Sequence, residues 1–153
     1  EFKTVLTLSP PRRLEEDRIS LVQGIKEGLI DVIVSDHLPE DEESKRLPFA
    51  QAATGAVGVE TLLPLSLEMY HNESLSLNKI IETLTINPAK ILQIKKGSLS
   101  KGSDGDICIF DLEAPWAVKA EELKSKSKNT AIEGRKLQGK VLMTFLNGEL
   151  VFS

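Results

Sequence analysis

The sequence has a single cysteine among its 153 residues, Cys108, and only two histidines, His37 and His71. One cysteine excludes a framework of intramolecular disulfides, so a reducing cytoplasm is the expected compartment. No apolar run is long enough to cross a bilayer, and no stretch joins a basic start, an apolar middle and a small-residue cleavage site. A membrane is therefore not an expected partner. Positive charge is not in excess: the formal net charge is −4, which gives no reason to expect nucleic acid. No phosphate-loop pattern surrounds Gly102 and Gly105, and no internal repeat or low-complexity tract is present. What remains is an ordinary globular composition, 41% hydrophobic and 27% charged, enough for one fair-sized core or two small ones. The sequence opens on Glu1-Phe2 without an initiator methionine, and the expectation is a piece of a longer chain.

Residues 14–28 read as a helix, with Leu14, Arg18, Leu21, Val22 and Ile25 at helical spacing, acids at the start and Gly28 as the stop. The β-branched run "DVIVS" follows, of the kind that forms a strand buried on both faces. A helix leading into such a strand is the rhythm of an α/β fold with a parallel sheet. Residues 38–58 read as loop. Residues 60–70 read as a buried helix that Pro64 bends, and Ser76 as the N-cap of the next helix, with Leu77, Ile80, Ile81 and Leu84 on one face. Asn87-Pro88 reads as a cap and first position of a short helix reaching Ile94. After Lys95-Lys96-Gly97 the texture becomes β-rich. Asp106 to Asp111 alternates like a strand, and Asn147-Gly148 marks a hairpin turn. The lysine-rich stretch "KAEELKSKSKN" reads as a solvated face. Cys108 reads as a buried or half-buried strand thiol rather than a nucleophile, and Trp116 as a packing anchor.

The chemistry concentrates in "DVIVSDHLPE". Residues just past the carboxyl end of a parallel strand face the crevice where ligands bind, and Asp36 falls there. A carboxylate so placed can ligate a metal or exchange protons with a metal-bound water. It can equally cap the following loop while His37 bonds a backbone carbonyl, since Asp is common in turns for local reasons. Spacing alone leaves both roles open.

Three stretches, "SPPRRLEEDR", "DVIVSDHLPEDEESKRLPF" and "GAVGVETLLPLSLEMY", resemble in order the class I dihydroorotases of the amidohydrolase superfamily. The later "INPAKILQI", "GSLSKGSDGDICIFD", "KSKSKNT" and "LNGELVF" are similar to that family's closing segments. The resemblance implies an α/β fold: residues 1–94 as the last part of a (β/α)8 barrel, and residues 95–153 as the C-terminal part of a small composite β-sandwich. It implies one or two zinc ions that activate water to open the cyclic amide of dihydroorotate to N-carbamoyl-aspartate, with the reverse reaction serving pyrimidine biosynthesis. By resemblance Asp36 is a metal ligand and the general acid–base. Ser9 takes the position of a substrate-binding asparagine, Glu40 that of a substrate-binding histidine, and Thr54-Gly55 that of a backbone contact to the substrate ring. The family's His-x-His pair, modified lysine and two further histidines match nothing here. His71 reads as a solvated helix-end residue, and one carboxylate cannot by itself hold a catalytic zinc, which takes three protein ligands. The implied partners are the small-molecule substrate, a second copy of the chain and aspartate carbamoyltransferase. Two alternatives stand beside the enzyme: a catalytically impaired scaffold for that transferase, motivated by Ser9 and Glu40, and another cyclic amidohydrolase of the allantoinase or hydantoinase type.

Overall fold

The computed structural model describes residues 3–153. Its helices come first: α1 (Glu15–Glu27), α2 (Glu42–Arg46), α3 (Leu62–His71), α4 (Leu77–Leu84) and α5 (Ile86–Ile91). A single antiparallel sheet among the described residues follows, with strands β1 (Ile107–Ala117), β2 (Lys136–Leu146) and β3 (Glu149–Phe152) in that spatial order.

Helix α1 forms where its periodicity places it. Glu15, Glu16 and Asp17 lie against the positive end of its dipole, and Asp17 accepts a hydrogen bond from the Leu14 amide at 3.1 Å. The helix stops at Gly28, whose amide reaches the Ile25 carbonyl at 3.1 Å. Pro64 does not bend α3. It falls at the third helical position, where the missing amide hydrogen has no intrahelical acceptor to lose. Ser76 caps α4 through its side chain, which accepts from the Lys79 amide at 3.3 Å. Asn87 is not a cap. Thr85 takes that position for α5, and Asn87 Nδ2 instead donates to the Asp31 carbonyl at 3.0 Å, fastening α5 to the start of "DVIVS". The helix also ends at Ile91, short of Ile94.

The packed centre of the helical part is Ile25, Leu75 and Ile80, the last wholly buried, with Val22, Ile30, Ile33, Met69, Tyr70 and Leu84 around them. Burying these side chains removes apolar surface from water at about 25 cal/mol per Å². The run 31–35 crosses this cluster, but it is not a strand of any sheet among the described residues. Ile33 donates to the Thr83 carbonyl at 3.2 Å, while Val34 is 72% exposed rather than buried on both faces. A β-branched run becomes a ladder strand only where a neighbouring strand supplies donors and acceptors along an edge.

β1 is longer than the alternation suggests, because two irregularities in its pairing with β2 carry it around to Ala117. Trp116 anchors this turn of the sheet, donating from Nε1 to the Gly139 carbonyl at 2.9 Å. β2 and β3 are joined by Asn147 (φ 51°) and Gly148 (φ 82°), the two positive angles that a two-residue hairpin turn requires. Cys108 is exposed on β1 rather than buried. Partial desolvation pushes its thiol up, against a hydrogen bond with Thr144, which keeps it protonated and a poor nucleophile. His71 is half-buried, not solvated: it packs edge-on to Tyr70 with ring centroids 5.3 Å apart, and no described residue bonds its buried Nε2.

Candidate active site

Asp36 ends the run 31–35 in the left-handed region, at φ 44°. That conformation is costly for most side chains and is tolerated by aspartate and asparagine. Residue strain of this kind persists only where the surroundings fix it, and here His37 does so. Its Nδ1 accepts from the amides of Gly58 at 3.1 Å and Val59 at 3.3 Å. The imidazole thus bonds backbone donors rather than a carbonyl, and it ties the end of "DVIVS" to the segment that opens α3.

Asp36 borders a cleft of about 430 Å³. One wall is the loop carrying Ser9, the second is residues 33–36, the third is Gly55–Gly58, and the floor is the inner face of α3 with Met69 at its far end. Of the residues singled out by sequence, the fold brings Ser9, Asp36 and Gly55 onto this one cleft. Thr54 is exposed and, like Glu40, lies outside its lining.

Gly55 is the most constrained point of the wall. At φ 137° it adopts a backbone that side chains rarely reach, and a Cβ there would stand 2.7 Å from the Leu38 carbonyl oxygen. Its amide donates to the Thr7 carbonyl at 3.0 Å, and its own carbonyl accepts from Lys45 Nζ at 3.0 Å and Asn129 Nδ2 at 3.2 Å. Gly55→Ala is expected to destabilise the protein by about 1–3 kcal/mol, read as a lowered midpoint in chemical denaturation. An unchanged midpoint would show that the wall relaxes freely.

Several of the residues that build the site escaped sequence reasoning. Lys45, within "EDEESKR", is only 4% exposed, and loss of solvation holds its ammonium below the ordinary lysine value while the Glu40 carboxylate opposes that shift. The lysine-rich stretch is not a plain solvated face. Glu60 accepts from the amides of Lys124 at 2.9 Å and Ser125 at 3.0 Å, and Ser127 Oγ donates to the Glu40 carbonyl. Asn129 Oδ1 accepts from the Glu40 amide at 3.3 Å, and the Asn129 carbonyl accepts from the Val57 amide at 3.2 Å. The stretch is a strap against the Gly55–Gly58 wall of the cleft. Its only sequence signal was the "KSKSKNT" similarity, because hydrogen bonds made 64 to 89 residues apart leave no local periodicity.

Among the described residues, no three His, Cys, Asp or Glu side chains converge to hold a metal ion. Asp36 offers one carboxylate, and His37 has already committed Nδ1 to backbone amides. These residues by themselves do not fit a complete zinc site.

Five α-helices and one small sheet among the described residues thus frame a cleft at the end of a β-branched run, an α/β arrangement. Residues 3–151 match the amidohydrolase family, and the chain belongs to it. It is 45% identical over 152 residues to a dihydroorotase of Anaplasma phagocytophilum (strain HZ), covering 99% of this chain and 34% of that protein. It is 42% identical over 145 residues to a dihydroorotase of Aquifex aeolicus (strain VF5), covering 95% and 34%. Among solved structures, a D-hydantoinase superposes with a TM-score of 0.90 at 25% identity, over 98% of this chain and 34% of that one. The L-hydantoinase (dihydropyrimidinase) from Arthrobacter aurescens gives 0.85 at 35% identity, over 96% and 34%. The chain thus spans about a third of the length of the relatives it matches.

Proposed function

We propose that this chain is the C-terminal portion of a dihydroorotase, interconverting dihydroorotate and N-carbamoyl-L-aspartate in pyrimidine biosynthesis when joined to the rest of its fold. In this reading residues 1–94 complete a (β/α)8 barrel with "DVIVS" as its last strand, and residues 95–153 complete a composite β-sandwich. The observation that carries it is the convergence of Asp36, Ser9 and Gly55 on one cleft. Exposed surface supports it too. The chain exposes 10658 Å², whereas a compact monomer of 16.8 kDa exposes about 7,600 Å². The surplus includes Val34, Leu146, Leu150 and Val151, each more than half exposed. Apolar strand faces of that kind need cover from further chain.

Asp36 is the general acid–base. Its carboxylate takes the proton of the attacking water and returns it to the amide nitrogen as the ring opens, which needs only that it reach both atoms. Asp36 would be one ligand of a zinc site, of one ion or two, whose other ligands would lie outside this chain and which would supply water activation. Ser9 meets a polar edge of the ring, and Gly55 shapes the wall beside it, its amide and carbonyl being bonded already to Thr7, Lys45 and Asn129. Glu40 stands where a histidine would hold an anionic substrate, and it lies off the cleft lining, which leaves that contact unmade by this residue. The partners of this reading are a small-molecule substrate and further copies of the chain, with aspartate carbamoyltransferase as a candidate neighbour in the same synthesis.

The solved structures named above are hydantoinases, but sequence favours dihydroorotase: 45% identity to a dihydroorotase against 25% and 35% to those two. The test is turnover by the full chain carrying this segment. Dihydroorotate should be opened and hydantoin left untouched; the reverse preference would overturn the assignment. The 153-residue segment alone should bind no stoichiometric zinc, and a tightly held ion found there by metal analysis would contradict the ligand assignment.

A further inference from the structure

We propose that Lys45 is a positioning residue of the cleft, holding the Ser9 wall and the Gly55 wall in register through three backbone carbonyls. Nζ donates to Ala53 at 2.8 Å, to Gly55 at 3.0 Å and to Thr7 at 3.3 Å. An ammonium has three donors, and all three are used. The acceptors belong to two different segments. Thr7 lies two residues before Ser9, and Ala53 and Gly55 flank Thr54 on the opposite wall. The Gly55 amide closes the figure by donating to the same Thr7 carbonyl that Lys45 bonds.

A buried lysine is an expensive way to hold two loops together, and a merely structural tie would be served as well by apolar packing. What the ammonium adds is direction. Charge-assisted bonds fix where each carbonyl points, and so where the adjoining Ser9 side chain and Gly55 peptide face the cleft. Lys45 itself does not line the cleft, so it acts through those two walls and not on substrate. Displacing a substrate-facing wall by a fraction of an ångström costs binding and alignment far more than it costs folding.

The inference rests on the dihydroorotase reading, and its test separates the two. In the full chain, Lys45→Met removes the donors at similar volume, while Lys45→Gln keeps two N–H donors on a shorter stem. The expected result for Lys45→Met is a KM for dihydroorotate raised about tenfold or more, with kcat per folded molecule changed only about two- to threefold, and Lys45→Gln between it and the parent. A purely structural lysine would lower the folded fraction, and with it apparent kcat, and leave KM where it was. An unmoved KM in either folded variant overturns the proposal, as does failure of both variants to fold. If the parent chain turns over no dihydroorotate at all, the functional reading falls, and this inference falls with it. An active parent with unmoved variants sinks only the role of Lys45.

Discussion

Replacing Asp36 by asparagine in the full chain should lower dihydroorotate turnover by roughly 10²–10⁴-fold, the range set by loss of a positioned general acid–base. The substitution isolates proton transfer well. Asparagine is nearly isosteric and is among the few residues that accept φ 44°, so the bend at the end of "DVIVS" survives. The clamp from His37 to the Gly58 and Val59 amides is untouched by the change. Thermal denaturation of the variant should therefore match the parent within about 0.5 kcal/mol, as for a substitution away from packed or paired groups. Turnover within a few-fold of the parent would remove Asp36 from the chemistry and leave it as a turn residue.

The largest expected loss of stability lies elsewhere, at Leu67→Ala, which should cost about 2–5 kcal/mol. Leu67 is wholly buried on α3 and presses its Cδ1 against β2, so closely that a Cβ at Gly139 would stand 2.5 Å from it. This is the seam between the helical part and the sheet. An ion pair also crosses it, Arg135 to Glu68 at 2.6 Å, but both side chains are more than a third exposed. An exposed pair contributes at most about 1 kcal/mol, so packing rather than charge holds the seam. Glu68→Ala in the same denaturation series should accordingly cost less than Leu67→Ala. If the order were reversed, the seam would be electrostatic and the packing account wrong.

Much of the local structure was legible before folding was considered. The 3.6-residue spacing, acidic first turn and terminal glycine of α1 are properties of neighbouring residues, as are the Ser76 cap and the Asn147-Gly148 turn. The place of Asp36 on a cleft was legible too, because an acid at the end of a β-branched run is a local pattern. Pro64 and Asn87 were read wrongly for a shared reason. Each depends on a helix boundary, and a shift of one or two residues turns a kink or a cap into a harmless or a tertiary role.

The sequence by itself determined where α1 starts and stops, where α4 starts, and which turn joins the last two strands. Those outcomes follow from interactions within a few residues of chain. Only the tertiary structure decided that Lys45 is buried among three carbonyls and that a lysine-rich stretch straps the cleft through Ser127 and Asn129. It alone decided that Glu40 lies off the cleft lining. A lysine in a charged run looks solvated until backbone acceptors from two distant segments converge on it, and that convergence is a property of the fold.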